Sequence, residues 1–280
     1  NTKIIYAAKI FQKSVSESLK ESKKLLKEVV NITKFRHPSV SKFIGYSPKD
    51  FQGKSRPTAI IEFITKGSLT NLISNKDSSD IKLNDTQKLL SLYSIASGMS
   101  FLHSNEMIHC HLTPNNILFN DKLYPKITDY FFSKFIYLNK EDANLATGNR
   151  AAIPYLAPEV LSDSQFSKSS DVYSFAMIAY ELVTNDEPYP QLSPKKIYQK
   201  VQNGERPEFN TSNSPYRSLI EKCWSQDPSE RPTFDQIVTE LKTNEEFITE
   251  SIQKEEYLNF IQKIEGARER KRKRRWKKER

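Results

Sequence analysis

Apolar residues along this chain fall first into short runs with strand character and then into longer segments with helical spacing. Residues 4–11 are apolar and aromatic over the length of a strand, and 43–46 and 58–64 read as two more. Between them, residues 20–34 set Leu25, Leu26, Val29, Val30 and Ile32 among charges, the spacing of one amphipathic helix. That helix must stop before His37-Pro38, because a residue preceding proline is pushed out of the helical region. Gly67 punctuates the chain, and from Asp85 the pattern turns helical. Residues 86–103, 170–183, 194–203, 215–224 and 233–242 carry helical periodicity, with Asp, Ser or Pro near their starts. A last amphipathic stretch, 247–264, predicts a helix packed on the larger part of the fold, with a partner-docking helix as the alternative. No unit of 20–50 residues repeats. A small strand-rich part followed by a larger helical part predicts an α+β chain with two lobes.

Composition changes this picture little, and charge changes it at one end. The 280 residues are 28% charged and 37% hydrophobic, an ordinary globular balance with enough chain for a large core. The longest nearly apolar run, residues 175–180, is far shorter than the roughly 20 residues a membrane-spanning helix needs. Cys110 and Cys223 offer no disulfide framework and fit a reducing, cytoplasmic compartment. No secretory signal is visible, although the chain begins at Asn1 rather than Met, which leaves room for a segment upstream. Residues 268–280 hold ten Lys/Arg and two Glu, nearly all of the net +9, whereas the other 267 residues have 33 basic against 32 acidic side chains. This basic run suits a nuclear-import signal read by an import receptor, contact with nucleic acid or an anionic lipid surface, or a solvated tail.

The candidate chemistry lies in motifs whose order matters more than any one of them. Tyr6-Ala7-Ala8-Lys9 lies in the first strand, and Glu28 follows 19 residues after Lys9 in the expected helix. Ile61-Glu62-Phe63-Ile64 precedes Gly67-Ser68-Leu69, and the run Ile108-His109-Cys110-His111-Leu112-Thr113-Pro114-Asn115-Asn116-Ile117-Leu118 precedes Asp129-Tyr130-Phe131. Then come Ala157-Pro158-Glu159, Asp171-Val172-Tyr173-Ser174-Phe175, and Cys223-Trp224 with Arg231-Pro232. From about Tyr6 to Leu241 the chain therefore resembles the protein kinases, closest to their tyrosine-kinase-like serine/threonine branch. The resemblance implies a bilobal kinase-like fold, with 1–66 a partial N-lobe and hinge, 67–242 the C-lobe, and 243–280 an amphipathic segment and basic tail.

What the resemblance implies for the site splits into two groups. Lys9 would hold the phosphates of ATP and pair with Glu28; Ile61 would be the gatekeeper, with backbone groups near Glu62 to Ile64 binding the adenine, and Leu118 joins this nucleotide set. Asn116 and Asp129 would bind Mg²⁺, a hard cation suited to amide and carboxylate oxygens. Glu159 would pair with Arg231, and Asp171 would support the backbone of the catalytic loop. Against this, His111 stands where the family has its catalytic Asp, Thr113 where it has Lys, and Ala152 where it has Thr. The nucleotide side looks kept and the proton-handling, substrate side dismantled, as in a pseudokinase acting as a scaffold or signalling regulator on protein partners. The alternative is an active serine/threonine kinase with a protein substrate, His111 serving as base. Cys110 replaces the Arg that reads a phosphorylated activation loop. Phe131 replaces a Gly able to adopt positive φ, which restrains the segment after Asp129. No Gly precedes Lys9, and the seven glycines form no G-x-G-x-x-G, so either this is a piece of a longer chain or the first strands and phosphate-covering loop are missing.

Overall fold

A computed structural model describes residues 4–10, 27–74, 82–131, 151–209 and 214–276, with side chains up to residue 267. It contains a small three-stranded sheet and a larger helical lobe. In the sheet, β1 (Tyr6–Ile10) and β2 (Phe43–Ser47) flank a central β3 (Thr58–Glu62), all antiparallel, with Lys9 opposite Ala59. Residues 27–32 form α1, which turns Val29 and Ile32 into the core; the start of the expected helix, 20–26, lies outside the described residues.

The helical lobe is built around α3 (Asp85–His103), whose residues are buried on nearly every side. Small and apolar side chains all round suit a helix enclosed by its neighbours rather than one with a wet face. Its start is fixed by a capping box: the Asn84 side chain accepts from Gln87 N–H at 2.8 Å, and the Gln87 side chain accepts from Asn84 N–H at 2.9 Å. The same device opens α5 (Lys168–Thr184), through Ser167 and Ser170, and α8 (Phe234–Thr243), through Thr233 and Gln236. Preceding or between them lie α2 (Leu69–Ser74), a two-stranded ribbon of β4 (Ile117–Phe119) and β5 (Pro125–Ile127), α4 (Pro158–Asp163), α6 (Pro194–Gln202) and α7 (Arg217–Cys223). The hydrophobic pattern missed β4 and β5, because three residues are too few to show a period, and it missed the short α2 and α4 for the same reason.

Backbone hydrogen bonds are among the contacts that join the lobes. Ser41 N–H donates to Ile127 C=O, and Ile127 N–H donates to Ser39 C=O, both at 2.8 Å, so the segment after α1 runs beside β5. Gly98 of α3 faces the same seam; a Cβ there would lie 2.7 Å from Ile127 Cδ1 and 3.1 Å from the Ser39 carbonyl oxygen. The seam therefore needs glycine because of close approach rather than backbone conformation.

Beyond α8, a single turn at Glu245–Phe247 precedes α9 (Lys254–Trp276), so the expected amphipathic stretch is two pieces with a break between them. Phe247 stacks on Tyr216 with ring centroids 5.2 Å apart. From α9, Tyr257, Phe260, Ile261 and Ile264 are buried, and Tyr257 O–H donates to Leu241 C=O at 2.7 Å. This is the helix packed on the large lobe; Leu258, the apolar position that does not fit its buried stripe, is exposed. The helix continues unbroken into the basic run as far as Trp276. No helix among the described residues is long and apolar enough to cross a membrane.

Candidate functional site

The site lies between β1, the loop before β4 and the segment after β5. Alternation along β1 leaves Tyr6 and Ile10 exposed and turns Ala7 and Lys9 toward the protein. From there the Lys9 ammonium pairs with the carboxylate of Asp129, which follows β5 and is buried. Glu28 lies half-buried on α1, one residue before the core residue Val29. Ile61 is fully buried at the end of β3. The neighbouring Glu62 carboxylate accepts from Lys42 N–H at 2.8 Å and from Lys126 Nζ at 2.7 Å, so this side chain braces the exit of the sheet. Ile64 and Leu118 are half-buried on either side of that exit, where Lys66 N–H donates to Phe119 C=O and Phe119 N–H to Gly67 C=O, both at 2.9 Å.

The loop between α3 and β4 is held from below. Asp171, at the start of α5, accepts the backbone N–H groups of His109 and Cys110 at 2.8 and 3.0 Å, and His103 Nε2–H at 2.9 Å. Cys110 takes a left-handed conformation, φ +65°, which costs a non-glycine residue about 1 kcal/mol or more and which the Asp171 bonds offset. His109 is completely buried, donates from Nε2 to Thr128 C=O at 2.9 Å, and accepts His111 N–H on Nδ1 at 3.3 Å. Burial lowers its pKa, so it stays neutral and structural.

His111 and Asn116 form the decisive pair. The Asn116 Nδ2 group lies 2.7 Å from His111 C=O, an acceptor with no proton to give, which fixes the amide with its nitrogen toward His111. The same nitrogen lies 3.1 Å from His111 Nδ1 and donates to it. Burial, reinforced by His109 and Lys9 and opposed by Asp129, pulls the His111 pKa down to about 4. The ring is therefore neutral near pH 7, with its lone pair on Nδ1 engaged by Asn116 and its proton on Nε2. In this arrangement His111 is a hydrogen-bond donor at its outer nitrogen and has no vacant lone pair with which to take a proton.

The other two departures are buried. Thr113 is buried where a lysine would reach toward a phosphate, and Ala152 is fully buried with no hydroxyl to bridge the loop and the activation segment. Tyr130 and Phe131, directly after Asp129, are packed rather than free. Tyr130 stacks on Phe35 at 6.1 Å and donates its O–H to Ser41 C=O at 3.0 Å. Phe131 is fully buried and meets Phe43 edge-on at 5.2 Å. The left-handed backbone falls at Asp129, φ +64°, while position 131 supplies packing.

On the substrate side, Glu159 and Arg231 form a two-pronged ion pair at 2.7 and 2.9 Å, and Arg231 also donates to Ser225 and Ser169 carbonyls. Sequence reasoning missed a second pair here. Tyr155 O–H donates to Glu181 at 2.6 Å, joining the end of the activation segment to α5. The signal was present, since Glu181 is the lone acid inside the apolar run of residues 175–183.

The fold and this arrangement define a protein-kinase domain. The protein tyrosine and serine/threonine kinase family profile matches residues 1–241, and the chain belongs to that family. It is 31% identical over 236 residues, 78% of its length, to the dual specificity protein kinase splA of Dictyostelium discoideum, covering 10% of that protein. It is 30% identical over 229 residues, 80% of its length, to the serine/threonine/tyrosine-protein kinase HT1 of Arabidopsis thaliana, covering 56%. A putative serine/threonine-protein kinase/receptor, R831, of Acanthamoeba polyphaga mimivirus is 34% identical over 241 residues, 83% of the chain and 14% of the relative. The chain thus spans from about a tenth to a little over half of these relatives.

Proposed function

We propose that this domain is a pseudokinase: it holds Mg²⁺·ATP but transfers phosphate poorly, and it works in signalling as a scaffold or regulator. The carrying observation is the hydrogen bond from Asn116 to His111 Nδ1. A general base must present a lone pair to the substrate hydroxyl, and such help is typically worth about 10² to 10⁴-fold. His111 presents an N–H instead. The nucleotide side retains donors of the right chemistry. With its nitrogen fixed on His111, Asn116 offers its amide oxygen, and Asp129 its carboxylate, to a hard cation that also bridges phosphates. Lys9, already beside Asp129, offers a positive charge to the same phosphates.

The test is the melting temperature with Mg²⁺·ATP, in the wild type and in Asp129→Asn. At about 100 times its Kd the ligand should stabilise by roughly 2.7 kcal/mol, several degrees for a domain of this size. A Mg²⁺-dependent shift that Asp129→Asn abolishes supports nucleotide binding at this site. No shift in the wild type would sink that part of the proposal and leave a non-nucleotide scaffold. Phosphotransfer to a generic protein substrate at rates typical of kinases, about 1–100 s⁻¹, would favour the second reading. That reading, an active serine/threonine kinase, rests on the assembly of Lys9, Asn116 and Asp129 around one cleft.

A further inference from the structure

We propose that the basic part of α9 is a docking arm for the major groove of duplex DNA. The first half of this helix is fixed to the large lobe. Phe260 packs against Tyr124 with ring centroids 4.6 Å apart, Ile264 is buried, and Lys242 pairs with Glu265 at 2.7 Å. The helix then continues without interruption through residues 268–276, seven of which are Lys or Arg against the single Glu269. The charge is therefore carried on a rod that grows out of the folded lobe, about 13 Å long at 1.5 Å per residue.

The distribution of that charge selects the partner. At 3.6 residues per turn, Arg268, Arg270, Lys271, Arg272, Lys273, Arg274 and Arg275 occupy positions all round the helix, so its sequence leaves no uncharged stripe. A helix lying in a membrane interface needs an apolar face, and one filling a protein groove needs apolar anchors at i, i+3 or i+4, and i+7. This stretch has neither; its sole large apolar residue is Trp276. A rod charged all round is complementary to a trench with phosphates on both walls. An α-helix is about 10–12 Å across with its side chains, and the major groove of B-form DNA is about 12 Å wide, whereas that of duplex RNA is deep and narrow. Because the other 267 residues are almost neutral, the attraction is confined to the arm. Contacts of this kind are to phosphates, so the binding is independent of base sequence.

The experiment is fluorescence anisotropy of a labelled 20-base-pair DNA duplex with the whole chain and with a chain ending at residue 267. Parallel titrations use duplex RNA and phosphatidylserine vesicles. The whole chain should bind DNA at least tenfold more tightly than the shortened one at 50 mM salt. Its affinity should fall about 10²-fold between 50 and 200 mM, as expected for roughly four neutralised phosphates. The shortened chain should keep its melting temperature, since it retains the buried residues Tyr257, Phe260, Ile261 and Ile264 of α9. Lys271→Gln removes one charge, and Lys271→Pro removes the same charge and breaks the helix, so the proline variant should bind distinctly more weakly. The proposal is overturned by equal binding of the two chains, by equal or tighter binding to RNA or vesicles, or by equal affinity of the two Lys271 variants.

Discussion

The Asn116 amide donates to both the carbonyl oxygen and Nδ1 of His111, at 2.7 and 3.1 Å, and so ties these two residues of the kinase cleft to each other. One side chain thereby keeps its oxygen for a cation while consuming the lone pair of the group that would have to accept a proton. On the proposed reading, weak phosphotransfer and retained nucleotide binding are two results of the same bond.

His111→Asp should restore a carboxylate that can accept a proton and should raise phosphotransfer by about 10²-fold or more. A radiolabel assay with saturating Mg²⁺·ATP reads this directly. An unchanged rate would place the defect in Thr113 and Ala152 as well, and the triple variant with Lys and Thr at those positions would be the next measurement.

The His111 ring should titrate near pH 4, with its Nε2 protonated above that, as read by ¹⁵N-edited NMR. The pKa is depressed below its ordinary 6.5 in the fold, so neutral His111 contributes stability that is present above about 6.5 and is lost as pH falls through about 4. His109, also lowered, acts in the same direction. In His111→Gln, the decline of stability across this window should be shallower; an unchanged slope would contradict the assignment.

Glu181 should act in the opposite sense. Burial raises its pKa from 4.5 to about 7, against the pull of the Tyr155 hydroxyl and with help from Glu187. Its contribution is fully present below about pH 4.5 and is lost as pH rises through about 7. Glu181→Gln should flatten the fall in stability between these values in denaturant titrations. Tyr155→Phe leaves the carboxyl without that donor and should steepen it.

Arg231 is enclosed and anchors the end of the activation segment through Glu159. Arg231→Ala leaves Glu159 without its partner in a largely buried setting, and should cost about 3 to 5 kcal/mol in urea unfolding. Arg231→Lys keeps the charge but loses the fork, and should recover only part of this.

Gly98→Ala should destabilise by about 1 to 3 kcal/mol, because the added methyl meets Ile127 and the Ser39 carbonyl at the seam between the lobes. An unchanged melting temperature would mean that α3 and β5 can separate at no cost.

The sequence by itself determined the family and the two-lobed α+β architecture, because long periodic helices and a dozen motif residues in fixed order are local properties of the chain. It also marked His111, Thr113 and Ala152 as departures, since a missing residue type is visible in a string. It placed α9 through Phe260, Ile261 and Ile264, whose spacing is that of a buried stripe. Only the tertiary structure decided what surrounds the departures. The tautomer and charge of His111 depend on a side chain five residues away, on burial, and on the charges of His109, Asp129 and Lys9, and no periodicity encodes that. The Tyr155–Glu181 and Asp171–His103 bonds join residues 26 and 68 apart, and β4 and β5 exist through pairing with each other. Hydrogen-bond direction and pKa are set by the groups that folding brings within about 3 Å, and for these residues those groups come from separate parts of the chain.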